Sequence, residues 1–565
     1  MDEFKKDIIK IASKVVPEIT DSMLEVPPDS NLGDFALPCF TFSKQMKKSP
    51  NAIANEIAEN SAPTEFIEKI TSAGPYVNFF VKKSKFFELV LNDVMKLKGA
   101  YGKSLSGKGK TVMVEFSTPN TNKPQHLGHV RNNVLGSAIA SVLDFSSYKA
   151  IRSNLINDRG VHICKSMIAY KKWGENKEPD KKPDHFVGEF YVLFNKKAAD
   201  NPELENEAME MLRLWEAGDK EVMALWKKMN NWVYKGFEET YEKLGIKFDI
   251  TYYESDYYEK GKKIVEDGYE RGILKKNPEG AVYADLEEFG LPEKVVLRAD
   301  GTSIYVTQDI YLAKMKFDQY PLDKSVYVVG SEHNLYLKQL FAILKKLSFE
   351  FADKCYHKSY GMVYLPEGKM KSREGLVVDA DDIIAEMVSL AREEIIKRHP
   401  ELNDIELDKR ANAIGIGAIK FFMARQDAAK DIYFDPKESI SFEGETGPYV
   451  QYAYARICSI LKKYGKTISE DADFSLIKSE EEKKLVKMLA EFPLYVEDAS
   501  KNYEPAKIAH YLIALSQAFN EFYHACPVLT EEDALKKARI LLVYCVRQVL
   551  GNALSLLGID AIEEM

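Results

Sequence analysis

Residues 112–131 read VMVEFSTPNTNKPQHLGHVR, which predicts a strand, a polar loop and the start of a helix in succession. The first five positions alternate with the two-residue period of a strand that lies on a core, and turn-forming residues follow from Ser117 to Pro124. After HLGH, apolar residues return at the helical gaps of three and four, namely Val130, Val134, Leu135, Ala138, Ile139, Val142 and Leu143. Two histidines, His126 and His129, therefore stand at the predicted start of this helix.

Such a junction is suited to binding phosphate. A helix N-terminus presents unpaired backbone N–H groups and the positive end of the helix dipole. Gly128 leaves room for a flat ring or a backbone to approach, and His126 and His129 can donate hydrogen bonds to phosphate oxygens in a transition state. Two ordinary histidines that cap or pack near a helix end are an equally common explanation of an isolated H-x-G-H. The chain has only nine histidines, which favours a functional pair.

The composition indicates a multidomain protein of a reducing compartment. A length of 565 residues predicts roughly three or four domains of about 150 residues each. The N-terminus, MDEFKKDIIKIASKVV, lacks the apolar segment of a signal peptide, and the longest apolar run, Ile540–Val546, is too short to span a bilayer. The six cysteines are scattered without a C-x-x-C pair, which argues against bound zinc and against a disulfide framework. We therefore expect a cytoplasmic protein with no membrane segment and no protein-bound zinc.

The charge distribution neither requires nor excludes an RNA partner. The net charge of −9 argues against nucleic acid, since phosphate contacts need Lys and Arg. Residues 1–110, however, hold 16 Lys and no Arg against 14 Asp plus Glu, so this part of the chain is weakly basic. That surplus permits RNA binding, although a solvated lysine face is the commoner explanation.

A second motif, GKMKSREG at residues 368–375, would by itself be interpreted as a solvated basic hairpin. Together the two motifs are far more specific. HLGH resembles the HIGH signature of the class I aminoacyl-tRNA synthetases, and EFSTPNTNKPQHLGH (residues 115–129) resembles their arginine-specific branch in particular. GKMKSREG stands in the order and place of the lysine loop of that family.

The resemblance implies an α/β protein. It would have a Rossmann-like parallel-sheet catalytic domain with inserted helices, an α+β N-terminal domain and an all-α C-terminal bundle. The expected domains are a tRNA-elbow-binding domain (1–105), the catalytic domain (106–380) with an insertion near 165–250, a helical connector (381–440) and a helical anticodon-binding domain (441–565). The sequence itself supports a strand at Val326–Val329 that is free of charge, as in a parallel sheet covered on both faces.

The reaction implied by the resemblance joins arginine and ATP into arginyl-adenylate with release of pyrophosphate. The arginyl group would then pass to the 2′-hydroxyl of the terminal adenosine of its tRNA. Magnesium would accompany ATP with few or no dedicated protein ligands. The residues implied for ATP binding and catalysis are Lys123, His126, Gly128, His129, Lys369, Met370, Lys371 and Arg373.

The lysine loop departs from the KMSKR pattern of the family. Lys371 replaces the serine and Ser372 replaces the second lysine. Arginine-specific members often lack that second lysine, and the resemblance implies that Lys123 in the first loop supplies its charge.

An arginine side chain calls for carboxylates, since a planar guanidinium bonds a carboxylate through two parallel N–H groups. By resemblance the amino-acid pocket consists of Glu115, Asn120, Tyr305, Asp309 and His333. Glu115 ends the first strand, and the sequence VVLRADGTSIYVTQD predicts that Tyr305 and Asp309 follow a hairpin turn at Asp300-Gly301 within a region of strand character. His333 is a departure, because many relatives have glutamine there and often have histidine where this chain has Tyr336.

Two other functional classes remain open on the residues alone. A small-molecule nucleotidylyltransferase also uses H-x-G-H on a strand–loop–helix, although such enzymes are usually shorter. A non-catalytic synthetase-like protein would bind RNA or partners, but it would not need both histidines, Lys123 and the lysine loop. Among the synthetases, the absence of zinc cysteines argues against a cysteinyl type, and an acidic pocket would repel glutamate. The partners expected are arginine, ATP and tRNA for arginine, bound by a monomer.

Overall fold

The computed structural model of the chain describes residues 2–366 and 378–565. The chain divides into two units, of which the first comprises Met1–Tyr101, Ser459–Glu491 and Gln517–Val549. The second comprises Gly102–Cys458, Phe492–Ser516 and Leu550–Met565.

The first unit begins with an α+β arrangement. Its elements up to Tyr101 are α1 (Asp2–Ala12), β1 (Phe35–Pro38), α2 (Ser43–Met46), α3 (Pro50–Glu59), β2 (Ile67–Ala73), β3 (Tyr76–Val81) and α4 (Lys83–Leu97). The strands form an antiparallel sheet in the order β1-β3-β2. Phe4 and Ile8 of α1 and Phe79 of β3 belong to one buried core, which explains the apolar gaps of three and four along α1.

The second unit is built on a five-stranded parallel sheet in the order β11-β10-β4-β5-β6. Its elements up to β6 are β4 (Thr111–Glu115), α5 (Leu127–Phe145), β5 (Lys149–Ile156), α6 (Val161–Trp173), α7 (Pro183–Asp200), α8 (Glu203–Glu216), α9 (Lys220–Lys243) and β6 (Ile250–Tyr253). The next elements are α10 (Lys260–Glu270), β7 (Lys275–Lys276), β8 (Val282–Ala284), β9 (Lys294–Leu297), α11 (Tyr305–Gln319), β10 (Lys324–Gly330), α12 (Asn334–Lys346), β11 (Cys355–Tyr360) and β12 (Val363–Tyr364). The predicted α/β class is confirmed, and α6–α9 confirm the helical character predicted for residues 165–250.

The strand order fixes the place of a ligand crevice. From β4 the chain winds outward through β5 and β6, and it then returns to pair β10 with the opposite edge of β4. Ligands of open parallel sheets bind outside the carboxyl ends of the strands where the order reverses. In this sheet that point lies beyond Glu115 of β4 and Gly330 of β10.

The predicted first strand is present as β4, and it is buried at four of its five positions because β4 is the middle strand of the sheet. One local prediction needs correction. Strand character was predicted as far as Asp309, but the helix α11 begins at Tyr305. The turn at Asp300-Gly301 is present, with Gly301 in the left-handed region at φ 79°, and it leads into a helix rather than a second strand.

The chain is mostly helical after residue 380, as predicted. These elements are α13 (Ala380–Arg398), α14 (Asp404–Arg425), β13 (Ile432–Tyr433), α15 (Pro436–Ser439), α16 (Gly447–Tyr464), α17 (Glu480–Asn502), α18 (Ala506–Ala525) and α19 (Asp533–Leu556). By length and composition α19 could cross a membrane, but 72% of its apolar window is buried inside the protein, as in a core helix.

Candidate active site

The two histidines form the N-terminus of α5. His126 is the N-cap residue, and its Nδ1 accepts the Gly128 N–H at 3.1 Å. His129 Nδ1 accepts the His126 N–H, also at 3.1 Å, and the two ring centroids lie 3.9 Å apart. Because each Nδ1 accepts a backbone hydrogen, each neutral ring must carry its proton on Nε2. The pair therefore offers two Nε2–H donors at a helix start.

Both rings are uncharged at neutral pH. Burial, together with a smaller effect of the nearby Lys123 ammonium, lowers the pKa of His126 to about 3. Burial, then His126 and Lys123, hold the pKa of His129 well below its usual range. Burial also lowers the pKa of Lys123, against a smaller opposing effect of Glu332. A phosphate that pairs with this ammonium would restore its preference for the charged form.

The loop between β4 and α5 is held by side chains from neighbouring elements. Ser117 and Thr118 have φ values of 77° and 47°, a region that costs a non-glycine residue about 1–3 kcal/mol. Asn132 Oδ1 accepts the Ser117 N–H at 2.5 Å, and Asn154 Oδ1 accepts the Thr118 N–H at 3.2 Å. The Tyr241 hydroxyl lies 2.7 Å from Ser117 Oγ. The strained turn is thus fixed from α5, β5 and α9.

The residues next to the lysine motif are bound to the histidine loop. Leu127 N–H donates to the Val378 carbonyl at 3.2 Å, and Ala380 N–H donates to the Gln125 carbonyl at 2.9 Å. Lys369, Met370, Lys371 and Arg373 lie outside the described residues.

Glu115 is neither exposed nor free. It is 4% exposed, and its Oε2 lies 2.6 Å from Nζ of Lys316, which is fully buried on α11. The Lys316 ammonium also lies 4.3 Å from the centre of the Tyr327 ring. The sequence reasoning missed Lys316. A helical assignment of residues 305–319 would have revealed it, because Tyr305, Asp309 and Lys316 then share one helix face within about 40°.

Asp309 accepts a hydrogen bond from the Tyr336 hydroxyl. The pKa of Asp309 is raised to about 6, mainly by burial. The hydrogen bond from Tyr336 lowers this pKa, the Glu115 charge raises it, and the Lys316 charge lowers it. The carboxyl is therefore poised to titrate just below neutrality. Tyr336, which stands where the family resemblance implies that many relatives have histidine, is the direct partner of this acid.

A further acid, Glu254, was not expected. It is 4% exposed, and burial raises its pKa to about 7, with Arg159 opposing and with Asp158 and Asp309 adding to the shift. Arg159 Nη1 lies 3.7 Å from Glu254 Oε1, and the guanidinium stacks 4.1 Å from the Tyr258 ring centre. No motif around Glu254 would have marked it in the sequence.

The other predicted pocket residues lie at the surface of the crevice. Asn120 is exposed and forms a bridge with Asn157, and the Tyr305 side chain is also exposed. His333 follows β10 and is exposed, with its ring 6.3 Å from that of Tyr336. The structure therefore groups Glu115, Asp309 and Tyr336 with Lys316, and it leaves Asn120, Tyr305 and His333 open to a ligand.

Arg131, one turn into α5, is fully buried. Its guanidinium donates to the carbonyls of Gly361, Met362, Asp427 and Ala428 at 2.6, 3.3, 3.3 and 3.1 Å. Burial lowers its pKa to about 10. One side chain thereby ties the histidine helix to the end of β11 and to the segment after α14.

Among the described residues, one group of possible metal ligands lies close together: Asp184, His185 and Asp381. The Lys182 ammonium lies 2.9 Å from Asp184 and 2.8 Å from Asp381, and Lys243 lies 2.8 Å from Asp381. Resident ammonium groups thus neutralise these acids, and the group does not suit a dication.

Known proteins match the whole chain. Residues 90–435 match the family described as tRNA synthetases class I (R), catalytic domain, and residues 450–565 match the DALR anticodon binding domain. Residues 2–81 match the arginyl tRNA synthetase N terminal domain. The chain is 46% identical to the arginine–tRNA ligase of Treponema denticola over 100% of this chain and 99% of that one. It is 44% identical to that of Parabacteroides distasonis, with 94% of each covered. The arginyl-tRNA synthetase structure of Thermus thermophilus superposes with a TM-score of 0.79 at 27% identity, covering 99% of this chain and 100% of that one.

Proposed function

The chain belongs to the class I arginyl-tRNA synthetase family, and from this we propose which side chains perform each part of its reaction. The reaction is that of an arginine–tRNA ligase. Arginine and ATP give arginyl-adenylate and pyrophosphate, and the arginyl group is then transferred to the 2′-hydroxyl of the terminal adenosine of tRNA for arginine, with release of AMP.

We propose that His126 and His129 bind the phosphates of ATP as neutral donors. Their Nε2–H groups and the free N–H groups of the helix start stabilise charge that develops on the α-phosphate during adenylate formation. Gly128 lies beneath the adenine. Lys123 assists at the outer phosphates, together with Lys369, Met370, Lys371 and Arg373 of the second motif.

The arginine side chain is proposed to bind between the acids at the switch point of the sheet. Asp309 receives the guanidinium, with Glu115 as the second acid and Tyr305 packed against the ligand. Asn120 and His333, which are exposed at the same crevice, bind the α-amino or carboxylate end. A neutral side chain would leave these buried charges unpaired, which supplies the selectivity without an editing domain.

The proposed assignment of the remaining chain follows the family. Residues 1–105 bind the tRNA elbow, residues 106–380 catalyse with an insertion near 165–250, residues 381–440 connect, and residues 441–565 bind the anticodon. Magnesium enters with ATP as part of the substrate. We propose a cytoplasmic monomer; five of the six cysteines are buried and not in disulfides, which supports a reducing compartment.

The observation that supports the site best is Asp309, a buried acid beside the Glu115–Lys316 pair. Among the residues that the structure describes, its hydrogen-bonded partner is the Tyr336 hydroxyl. Asp309→Asn should raise the KM for arginine by about 100-fold or more, because a buried cation loses its charged partner. The KM for ATP should stay within about threefold.

Pyrophosphate–ATP exchange and tRNA charging measure both constants. Asp300→Asn, in the exposed turn before the same helix, is the matched control. An unchanged arginine KM in Asp309→Asn would refute the pocket. Arginine-dependent exchange that requires tRNA would support the proposed function. Exchange that depends on another acceptor would favour a nucleotidylyltransferase, and no exchange even with tRNA present would favour a non-catalytic protein.

A further inference from the structure

The interior of the proposed arginine pocket contains a cation of its own. Lys316 is fully buried, and its ammonium lies 2.6 Å from Oε2 of Glu115, which is 4% exposed. Glu115 stands opposite Tyr327 in the register of β4 and β10, and the ring of Tyr327 lies 4.3 Å from the ammonium. This ion pair therefore sits at the carboxyl end of the central strand, where the ligand crevice begins.

Tyrosine and cysteine side chains that carry no charge at neutral pH surround the pair. The groups that feel the Glu115 or Asp309 charge from neighbouring elements, and whose pKa burial raises, are Tyr252, Tyr257, Tyr327, Tyr336 and Cys355. Glu254, which also feels the Asp309 charge, has a cation of its own in Arg159, 3.7 Å away. Among the described residues, Lys316 is thus the cation that compensates Glu115.

We propose that Lys316 is a positioning residue for arginine recognition, which engages one oxygen of Glu115 and leaves the pocket with one uncompensated acid for one guanidinium. The proposal rests on the proposed function, in which Asp309 and Glu115 receive that group. With Lys316 in place, its ammonium lies 2.6 Å from Glu115 and compensates that carboxylate. Asp309 then supplies the single negative charge that arginine neutralises.

A purely structural role for Lys316 would not require a buried ion pair. A buried ion pair can be replaced by apolar side chains of similar volume without loss of stability. The removal of Lys316 alone, in contrast, would leave Glu115 and Asp309 as two buried acids that share a proton at neutral pH. Arginine would then have to displace that proton, and its binding would become dependent on pH above neutrality.

The test compares Lys316→Met, Lys316→Arg and the double variant Glu115→Gln with Lys316→Met in tRNA charging between pH 6.5 and 9. Lys316→Met should raise the KM for arginine by about 30-fold at pH 7, with recovery of up to tenfold per pH unit as the shared proton is lost. Lys316→Arg should stay within about threefold of the unmodified chain. In the double variant the KM should remain raised but lose its dependence on pH. The KM for ATP should not change in any of them.

Each other outcome decides against the proposal. A Lys316→Met protein with an unchanged arginine KM, or with a reduced kcat alone, would show a merely structural lysine. If that variant does not fold, a double variant whose arginine KM still falls as the pH rises from 7 to 9 overturns the proposal, because Glu115 is then absent and cannot share a proton with Asp309. Asp309→Asn distinguishes a failure of this inference from a failure of the proposed arginine pocket. If it raises the arginine KM while the Lys316 variants do not, only this inference fails; if it has no effect either, the proposed pocket fails.

Discussion

Arginine binding should release a proton from Asp309 at mildly acidic pH. The free carboxyl has a pKa raised to about 6, first by burial and then by the Glu115 charge. A guanidinium bound to the carboxylate favours the ionised form, so any proton present must leave as arginine binds. Because the pKa of the free Asp309 carboxyl is raised, proton release on arginine binding is large below about pH 6 and becomes small as the pH rises above this value.

The size of the effect follows from the pKa alone. Asp309 is about half protonated at pH 6 and only about 3% protonated at pH 7.5, so arginine should release about 0.5 and about 0.03 protons at these two values. The apparent Kd for arginine should rise about tenfold between neutral pH and pH 5.

Titration calorimetry in two buffers of different ionisation enthalpy counts the protons directly. Asp309→Asn should abolish the release at pH 6. Glu254→Gln is the matched control, since Glu254 is the neighbouring acid whose pKa burial raises to about 7. A release at pH 6 that survives in Asp309→Asn, or its absence from the unmodified chain, would refute the assignment.

Three further variants examine the histidine helix. His129→Ala should lower kcat in pyrophosphate exchange by about 100-fold or more, through loss of one transition-state donor, while the KM for arginine stays the same. Gly128→Ala would place a Cβ 2.9 Å from Cε1 of His126; the ring must then move, and we expect the KM for ATP to rise by about tenfold or more. Arg131→Met should reduce the free energy of unfolding in urea by about 3–5 kcal/mol, because four buried carbonyls lose their charged donor. The exposed Arg271→Met should change it by less than about 0.5 kcal/mol.

The parts of this fold that could be predicted are those whose sequence pattern lies within one short continuous stretch of the chain. The strand–loop–helix at residues 112–131 is an example, because strand period, turn residues and helix period follow one another directly. The parallel strand β10 was predictable for the same reason, since its core, VYVV, lacks charge over its whole length. Its C-terminal end then located the crevice through the general rule for open sheets.

The misread segment shows where local reasoning fails. Residues 303–307, SIYVT, favour a strand by their β-branched and aromatic side chains. Val306, Ile310 and Ala313 nevertheless recur at helical gaps and are all buried in one core, so packing overrides the local preference. That error also concealed Lys316, because only a helix brings it to the same face as Asp309. The partners of Arg131 were beyond prediction, since they are main-chain carbonyls that the fold alone brings together.

At both ends of the site, burial shifts pKa values towards the neutral form of the ionisable groups, but the charge that it disfavours is positive at one end and negative at the other. At the nucleotide end, burial lowers the pKa of Lys123, His126 and His129, so the empty site disfavours positive charge. At the amino-acid end, burial raises the pKa of Asp309, so the empty site disfavours negative charge. Each substrate brings the charge that its end lacks: phosphates stabilise the ammonium of Lys123, and a guanidinium stabilises the carboxylate of Asp309. A cation at the nucleotide end, or an anion at the amino-acid end, would give no such stabilisation, since burial already disfavours the charged forms of Lys123 and Asp309. The affinity for arginine should therefore depend on pH, while the two histidines stay neutral throughout. This contrast within one crevice distinguishes a site for two oppositely charged substrates from a general anion-binding or cation-binding pocket.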